Sequence, residues 1–117
     1  MTTRAQLKKA ALALPETEEG THFGMQAFTV AGKGFVSVTK DDVAQLYMAE
    51  EDVERALARF PTTERLTRNG KPLGLRVPLA DVNGMDLNSL VYKSWLSRAP
   101  KRLAQAQREA AKGEAPS

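Results

Sequence analysis

His22 is the only histidine of the 117-residue chain, and histidine is the side chain that most readily exchanges a proton near neutral pH. Acid–base catalysis would need a second group, and the carboxylates that precede it closely are Glu16, Glu18 and Glu19. The spacing of these residues does not assemble a catalytic triad. A single histidine beside a glycine turn is typical of a hydrogen-bonded loop, so we assign no catalytic residue and expect a non-enzymatic protein.

The same four side chains offer oxygen and nitrogen atoms to a metal ion, but their order does not match a metal site. A calcium loop alternates Asp or Asn around a glycine, and a helical zinc site has paired histidines. The chain contains no cysteine, which excludes thiolate zinc sites, iron–sulfur clusters and disulfides. We therefore predict no metal site and no cofactor, and we interpret residues 15–20 as a solvated acidic loop.

Gly32-Lys33-Gly34 resembles the loops that hold phosphate groups with backbone amides. Such loops lead from a strand into a helix. The residues that follow here, FVSV at 35–38, are typical of a strand. The pattern therefore predicts a hairpin turn and not a phosphate site.

Positive charge is concentrated in the second half of the chain. Residues 61–117 contain 10 basic and 5 acidic side chains, whereas residues 1–60 contain 7 and 9. The basic side chains surround a predicted hairpin and the junction before the last helix, and a basic surface attracts phosphate backbones. The residues predicted to bind nucleic acid are Arg65, Arg68, Lys71, Arg76, Lys101 and Arg102.

The predicted nucleic acid is DNA, bound weakly and without sequence preference. Only 6% of the residues are aromatic, and the chain lacks the glycine-and-aromatic signature of RNA-binding domains. A structural interpretation of the same charges stays open. Lys101 and Arg102 follow Pro100, where they could neutralise the carbonyl end of the preceding helix.

The positions of these side chains depend on the predicted helices and strands. Apolar spacing and end signals predict helices over Thr3–Leu14, over Glu50–Phe60, from Asn83 or Asp86 onward, and from Pro100 to about Gly113. Alternation predicts strands over 26–31, 34–39, 44–48 and 73–79, with 62–68 as a weaker candidate. These elements predict a single α+β domain over residues 1–117, with a frayed end from about 113. Its antiparallel sheet of four or five strands has helices packed on one face, in two layers.

The other face of this sheet is predicted to be partly open. If the apolar residues of the strands face the helices, then Gln45, Tyr47 and Arg76 project from the opposite face. As the alternative to DNA binding, we predict a protein-interaction or chaperone-like adaptor, in which Gln45 and Tyr47 belong to a surface where a partner protein or a second copy of the chain docks. Tyr92 and Trp95 lie at helical spacing with other apolar residues, which favours core packing over a ligand pocket.

The composition predicts a cytoplasmic globular protein. Hydrophobic residues make up 42% of the chain and charged residues 26%. The N-terminus has no apolar stretch of a secretory signal, and no apolar run approaches the roughly 20 residues that span a bilayer. We therefore expect no membrane association.

Two parts of the sequence resemble a known family. The string LPETEEGTHFG at 14–24, followed by Ala27, Phe28, Val30 and GKGF at 32–35, resembles the N-terminal signature of the MmcQ/YjbR-like family. VPL at 77–79, Trp95 and APKRL at 99–103 resemble the C-terminal part of that family. The resemblance covers about residues 5–105.

The resemblance implies a two-layer α/β fold with an antiparallel sheet, similar to frataxin-like and secretion-chaperone-like domains. It also implies a DNA-binding label, which rests on a likeness in shape to a double-wing DNA-binding module, and it supplies no catalytic residues. Many relatives have a lysine in the third strand and a tryptophan in the penultimate strand. This chain has Tyr47 and the pair Leu73-Gly74 there, so the resemblance implies altered chemistry on that face.

Overall fold

The structure is a computed structural model that describes residues 2–22 and 24–114, without the side chains of residues 110–114. Its helices are α1 (Arg4–Leu12), α2 (Glu50–Arg59), α3 (Gly84–Arg98) and α4 (Lys101–Glu114). Its strands are β1 (Thr17–His22), β2 (Met25–Val30), β3 (Lys33–Val38), β4 (Val43–Tyr47), β5 (Glu64–Arg68) and β6 (Lys71–Pro78), and a short 3-10 helix covers Leu79–Asp81. Within these ranges no helix combines the length and the apolar character that crossing a membrane requires.

The six strands form one antiparallel sheet in the order β1-β2-β3-β4-β6-β5. Two hairpins turn on residue pairs whose φ angles are both positive, Ala31-Gly32 and Asn69-Gly70. Such two-residue turns match the twist of the flanking strands. Strand β6 returns beside β4, which brings Gln45 of β4 opposite Arg76 of β6.

The helices cover one face of the sheet. α1 packs on α3, α3 lies against β3 and β4, and α2 lies against β6. Between the layers is the apolar core, which includes Phe28, Val36, Leu46, Leu75, Val77, Leu87 and Trp95. Trp95 is fully buried, and its indole Nε1 donates a hydrogen bond to the Pro15 carbonyl at 3.1 Å. The predicted core role of Trp95 is therefore confirmed.

The predicted α+β class, with two layers and one open sheet face, is confirmed. The local end signals are also present. Thr3 and Gln6 form the reciprocal hydrogen bonds of a capping box at the start of α1. Of the two start signals for α3, Asn83 is the N-cap, because its side chain accepts a hydrogen bond from the Asp86 amide at 2.8 Å.

The sheet has six strands, so the predicted number of four or five is wrong. The additional strand is β1, which begins inside the predicted acidic loop at 15–20 and ends at His22, so the loop assignment of this segment is also wrong. β1 is an edge strand that pairs with β2, and an edge strand whose side chains are exposed needs no apolar alternation. α1 ends at Leu12, before the predicted end at Leu14. The first hairpin turns at Ala31-Gly32, one residue earlier than predicted.

Two predictions fall partly outside the described residues. The N-terminal string of the family resemblance includes Phe23, which lies outside the described residues. The predicted frayed end includes residues 115–117, which also lie outside the described ranges. α4 extends to Glu114, one residue beyond the predicted exit at Gly113.

Candidate functional site

The open face is the sheet face turned away from the helices, and one row of residues crosses it on all six strands. In sheet order this row is Gly20, Ala27, Ser37, Gln45, Arg76 and Glu64. Gly20, Ala27 and Ser37 have small side chains or none, and the half of the face formed by β1, β2 and β3 is therefore lower than the half formed by the other strands. Ser37 is only 9% exposed, and its Oγ donates a hydrogen bond to Gln45 Oε1 at 3.1 Å. This bond occupies the Gln45 oxygen and leaves the amide N–H groups as donors on the open face.

Tyr47 and Arg98 meet where β4 ends. Arg98 is the last residue of α3, and its guanidinium carbon lies 4.9 Å from the centroid of the Tyr47 ring. Its Nε donates a hydrogen bond to the Gly34 carbonyl at 3.0 Å. The neighbouring Ser97 donates from Oγ to the Tyr47 carbonyl at 3.0 Å. The guanidinium is therefore held over the ring by a hydrogen bond and a cation–π contact.

The open face contains two adjoining depressions. The Arg98 pocket has a volume of ≈ 280 Å³, and its lining includes Gly20, His22, Ala27, Phe35, Ser37, Tyr47 and Arg98. The Arg76 pocket has a volume of ≈ 290 Å³, and its lining includes His22, Met25, Ser37, Gln45, Tyr47, Leu66, Arg68, Leu73 and Arg76. His22 and Leu66 belong to strands at opposite edges of the sheet, so their presence in one pocket shows that the open face is concave.

The charges of this face are unbalanced. No carboxylate lines either pocket among the described residues, and Arg68, Arg76 and Arg98 form no ion pair there. Glu64 is opposite Arg76 in the strand register, but the two also form no ion pair. Other arginines pair with acidic side chains: Arg4 with Asp42, Arg55 with Asp52, Arg59 with Asp86, Arg65 with Glu50 and Arg102 with Glu16. The two pockets are therefore electropositive and rich in hydrogen-bond donors, which suits an anionic ligand.

Gln45, Tyr47 and Arg76 lie on the open face, on the side that strand alternation assigns to them. Their role in docking a partner stays a prediction. Sequence analysis does not place Arg98 with them, because nothing in the sequence indicates that the end of α3 meets the end of β4. Only its position at a predicted helix end, among other basic residues, distinguishes Arg98 in the sequence.

Gly74 lies beside Tyr47 at a point where β4 and β6 approach each other closely. Tyr47 pairs with Gly74 across β4 and β6. A Cβ atom at Gly74 would lie 1.8 Å from the Leu46 carbonyl oxygen, which is a backbone atom of β4. The two strands approach so closely here that only glycine fits.

The six residues predicted to bind nucleic acid do not form one surface. Arg65 extends toward α2, and its Nε donates a hydrogen bond to Glu50 at 2.8 Å. This bond raises the pKa of Arg65 above its ordinary value. Arg102 pairs with Glu16 at 3.2 Å, beside β1. β1 and β5 are the opposite edges of the sheet, so these two arginines lie far apart on it.

Three of the six residues stay together on the β5–β6 hairpin. Arg68 and Arg76 line the Arg76 pocket, and Lys71 is exposed opposite Arg68 across the turn. Lys101 is exposed in the first turn of α4, next to Arg102. The structure therefore separates a hairpin group from a group at the last helix junction. Binding of nucleic acid by either group stays a prediction.

Strand β1 separates the acidic side chains that precede His22. Glu19 lies on the side of α1, where it accepts a hydrogen bond from Gln26 Nε2 at 2.6 Å and pairs with Lys8 at 3.0 Å. The Gln26 bond, followed by the Lys8 bond, lowers the pKa of Glu19 below its ordinary value. His22 instead lines both pockets of the open face. Over the described ranges, no three His, Asp or Glu side chains group in a way that could hold a metal ion.

Comparison with known proteins gives a structural match. No family profile and no curated protein sequence matches the chain. The crystal structure of Deinococcus radiodurans protein DR2400, which has a DUF419 domain, matches with a TM-score of 0.71. The match covers 96% of this chain and 89% of that one, at 22% sequence identity. The fold is that of a DUF419 domain. DUF419 is a YjbR/MmcQ-like family, so the fold implied by the sequence resemblance is confirmed.

Proposed function

We propose that this chain is an MmcQ/YjbR-like protein that acts in the cytoplasm as a non-enzymatic domain, binding a partner protein on its open face. The motif strings and the shared DUF419 fold support the family. Because the chain has no cysteine, its fold does not depend on disulfides, which is compatible with the reducing cytoplasm. The observation that carries the function is the concave open face, on which Tyr47 and Arg98 are held in contact where β4 ends.

The composition of this face favours a protein partner. Tyrosine and arginine are the side chains in which binding energy concentrates at protein interfaces. Tyr47 and Arg98 are half-buried and already ordered by their mutual contact, so they lose little side-chain entropy on binding. Leu66 and Leu73 add partly buried apolar surface to the Arg76 pocket. Apolar and aromatic surface beside arginine is typical of an interface core.

Light scattering tests whether the partner is a second copy of the chain. A dimer that dissociates in the Tyr47→Ala variant would identify the open face as the interface between copies. A monomer in both proteins directs the search to a different partner.

Site-directed cross-linking tests the docking face itself. Because the chain has no cysteine, Gln45→Cys places a single photo-cross-linker on the open face, and Ser89→Cys places one on the exposed surface of α3 as a control. We expect a defined cross-linked protein from position 45 and none from position 89. The product should disappear when Tyr47→Ala is added. Equal products from both positions, or a product that Tyr47→Ala leaves unchanged, would contradict docking on the open face.

Sequence-tolerant DNA binding is a second candidate function. It is favoured by one observation, that Arg68, Lys71 and Arg76 lie on one hairpin without an ion-pair partner among the described residues. Affinity for DNA falls as the salt concentration rises, and each neutralised phosphate adds about 0.9 to the magnitude of the slope of log affinity against log salt concentration. Three side chains give a slope of about 2.7, whereas the six predicted residues would give about 5.4.

A titration of labelled duplex DNA at several salt concentrations measures this slope. We expect a loss of roughly 500-fold in affinity for a tenfold rise in salt if the hairpin group binds alone. Arg76→Gln should reduce the slope by about 0.9, and the control Arg102→Gln should leave it unchanged. Undetectable binding at low salt would remove the DNA function.

A further inference from the structure

Resting on the proposed docking function, we infer that the open face binds an acidic, extended segment of the partner protein. Carboxylates of this segment pair with Arg98 and Arg76. The Arg98 pocket and the Arg76 pocket adjoin at Tyr47, Ser37 and His22, so that one extended chain can cross both.

Arg98 is held in a conformation that can receive a carboxylate. Its Nε bonds to the Gly34 carbonyl, and its plane is fixed over Tyr47. The two terminal nitrogens form no hydrogen bond within the described residues. A guanidinium with both terminal nitrogens available can bind a carboxylate or phosphate through two parallel hydrogen bonds.

The position of Arg76 sets the spacing of the carboxylates. Tyr47 pairs with Gly74, and Arg76 lies two residues further along β6, as a diagonal neighbour of Tyr47. Diagonal neighbours in a sheet are about 7–8 Å apart. Alternate residues of an extended chain point to the same side and are about 7 Å apart. Alternate residues of an extended partner segment therefore have the same spacing as Tyr47 and Arg76 in the sheet, so that one carboxylate can face Arg76 and another the guanidinium over Tyr47.

The charge of the two pockets selects an acidic segment over a neutral one. Three arginines line them, and no carboxylate of the described residues does. The amide of Gln45 adds a donor between the two arginine positions, since its oxygen is bonded to Ser37. Pockets that present arginines without carboxylates gain specificity from a partner of opposite charge.

Nucleic acid matches this face less well than an acidic peptide. Apart from His22, the aromatic side chains that line the pockets among the described residues are Tyr47 and Phe35. Phe35 is fully buried, and Arg98 covers the ring of Tyr47. Bases bound on an open sheet stack on exposed rings, and neither ring is available for stacking.

A peptide-binding experiment tests this assignment. The probe is a fluorescein-labelled peptide of alternating glutamate and serine, and the matched control peptide has glutamine in place of glutamate. Fluorescence anisotropy at low salt measures the affinity of each peptide for the wild-type protein and for Arg76→Gln, Arg98→Gln, Arg65→Gln and Arg102→Gln. Fluorescence of the buried Trp95 shows that each variant is folded.

We expect the glutamate peptide to bind and the glutamine peptide not to bind. Arg76→Gln and Arg98→Gln should each weaken binding about tenfold or more, because each removes a charge-assisted hydrogen-bond donor. Arg65→Gln and Arg102→Gln remove the same charge from residues that are already paired, and they should change the affinity less than about twofold.

Three results would overturn the inference. In the first, the glutamate and glutamine peptides bind with the same affinity, or neither peptide binds. In the second, all four variants lose the same affinity for the glutamate peptide. In the third, a single-stranded oligothymidine binds the same face more tightly than the glutamate peptide does. The cross-linker at position 45 distinguishes this failure from failure of the docking function. A partner captured there while the glutamate peptide does not bind would show docking of a non-acidic partner.

Discussion

Replacing Gly74 by alanine tests whether the close approach of β4 and β6 supports the open face. The added Cβ would lie 1.8 Å from the Leu46 carbonyl oxygen, 2.8 Å from its carbonyl carbon and 2.9 Å from the Tyr47 Cα. All three are backbone atoms, so no side-chain rotation relieves the overlap. The strands must separate locally, and Tyr47 must move with them.

Overpacking a well-packed structure typically lowers the free energy of unfolding by about 1–3 kcal/mol, and we expect a decrease of this size from the separation of the strands. For a domain of this size, we expect the melting temperature to fall by about 4 °C per kcal/mol, which gives a decrease of about 4–12 °C. Circular dichroism at increasing temperature measures it. Urea unfolding gives an independent value of the free energy of unfolding.

Gly20→Ala is the matched control for this prediction. It makes the same substitution on the same face, but its Cβ would meet no atom within 4 Å. We expect no loss of stability, or a gain of about 0.4–1 kcal/mol through the lower entropy of the unfolded chain. If Gly74→Ala and Gly20→Ala unfold at the same temperature, the argument that glycine is required beside Tyr47 is wrong.

Three further predictions concern the helix side of the sheet. The Gln26 hydrogen bond lowers the pKa of Glu19 in the folded protein. The stability that this carboxylate contributes is therefore present above the ordinary glutamate value of 4.5 and is lost as the pH falls through the lower folded-state value. Glu19→Gln should reduce the loss of stability on acidification, measured by urea unfolding from pH 6 to 2.5. Trp95→Phe removes the hydrogen bond to Pro15 and part of a fully buried side chain, and calorimetry should show a loss of about 1–3 kcal/mol. Arg65→Ala should leave the calorimetric midpoint nearly unchanged, because exposed ion pairs contribute little, and a large decrease would contradict the surface character of this pair.

Local patterns in the sequence were sufficient to predict most of the fold. The alternation of Leu75 and Val77 with Arg76 indicates a half-buried strand, and the caps at Thr3 and Asn83 fix two helix starts. These signals act over a few residues, so they can be recognised without knowledge of the tertiary structure. Edge strand β1 was missed because exposed strands lack the alternation that reveals buried ones.

The candidate site was predictable only in part. Strand alternation assigns Gln45, Tyr47 and Arg76 to the face opposite the helices, because successive side chains of a strand point to opposite sides. The basic composition of the second half of the chain indicates an anionic ligand, but it does not indicate which basic side chains lie together in the folded protein. Arg65 and Arg76 belong to paired strands, yet one contacts the carboxylates of α2 and the other lines a pocket.

The sequence by itself determined the helices, the strands after β1 and the side of each half-buried strand that is apolar, since these follow from side-chain periodicity. The tertiary structure alone decided that Arg98 lies over Tyr47, that Arg102 pairs with Glu16, and that the two pockets of the open face are lined by arginines without carboxylates among the described residues. Each of these contacts joins residues far apart in the chain. Periodicity reports how a residue relates to its own element, and it contains no information about which distant element that residue will meet.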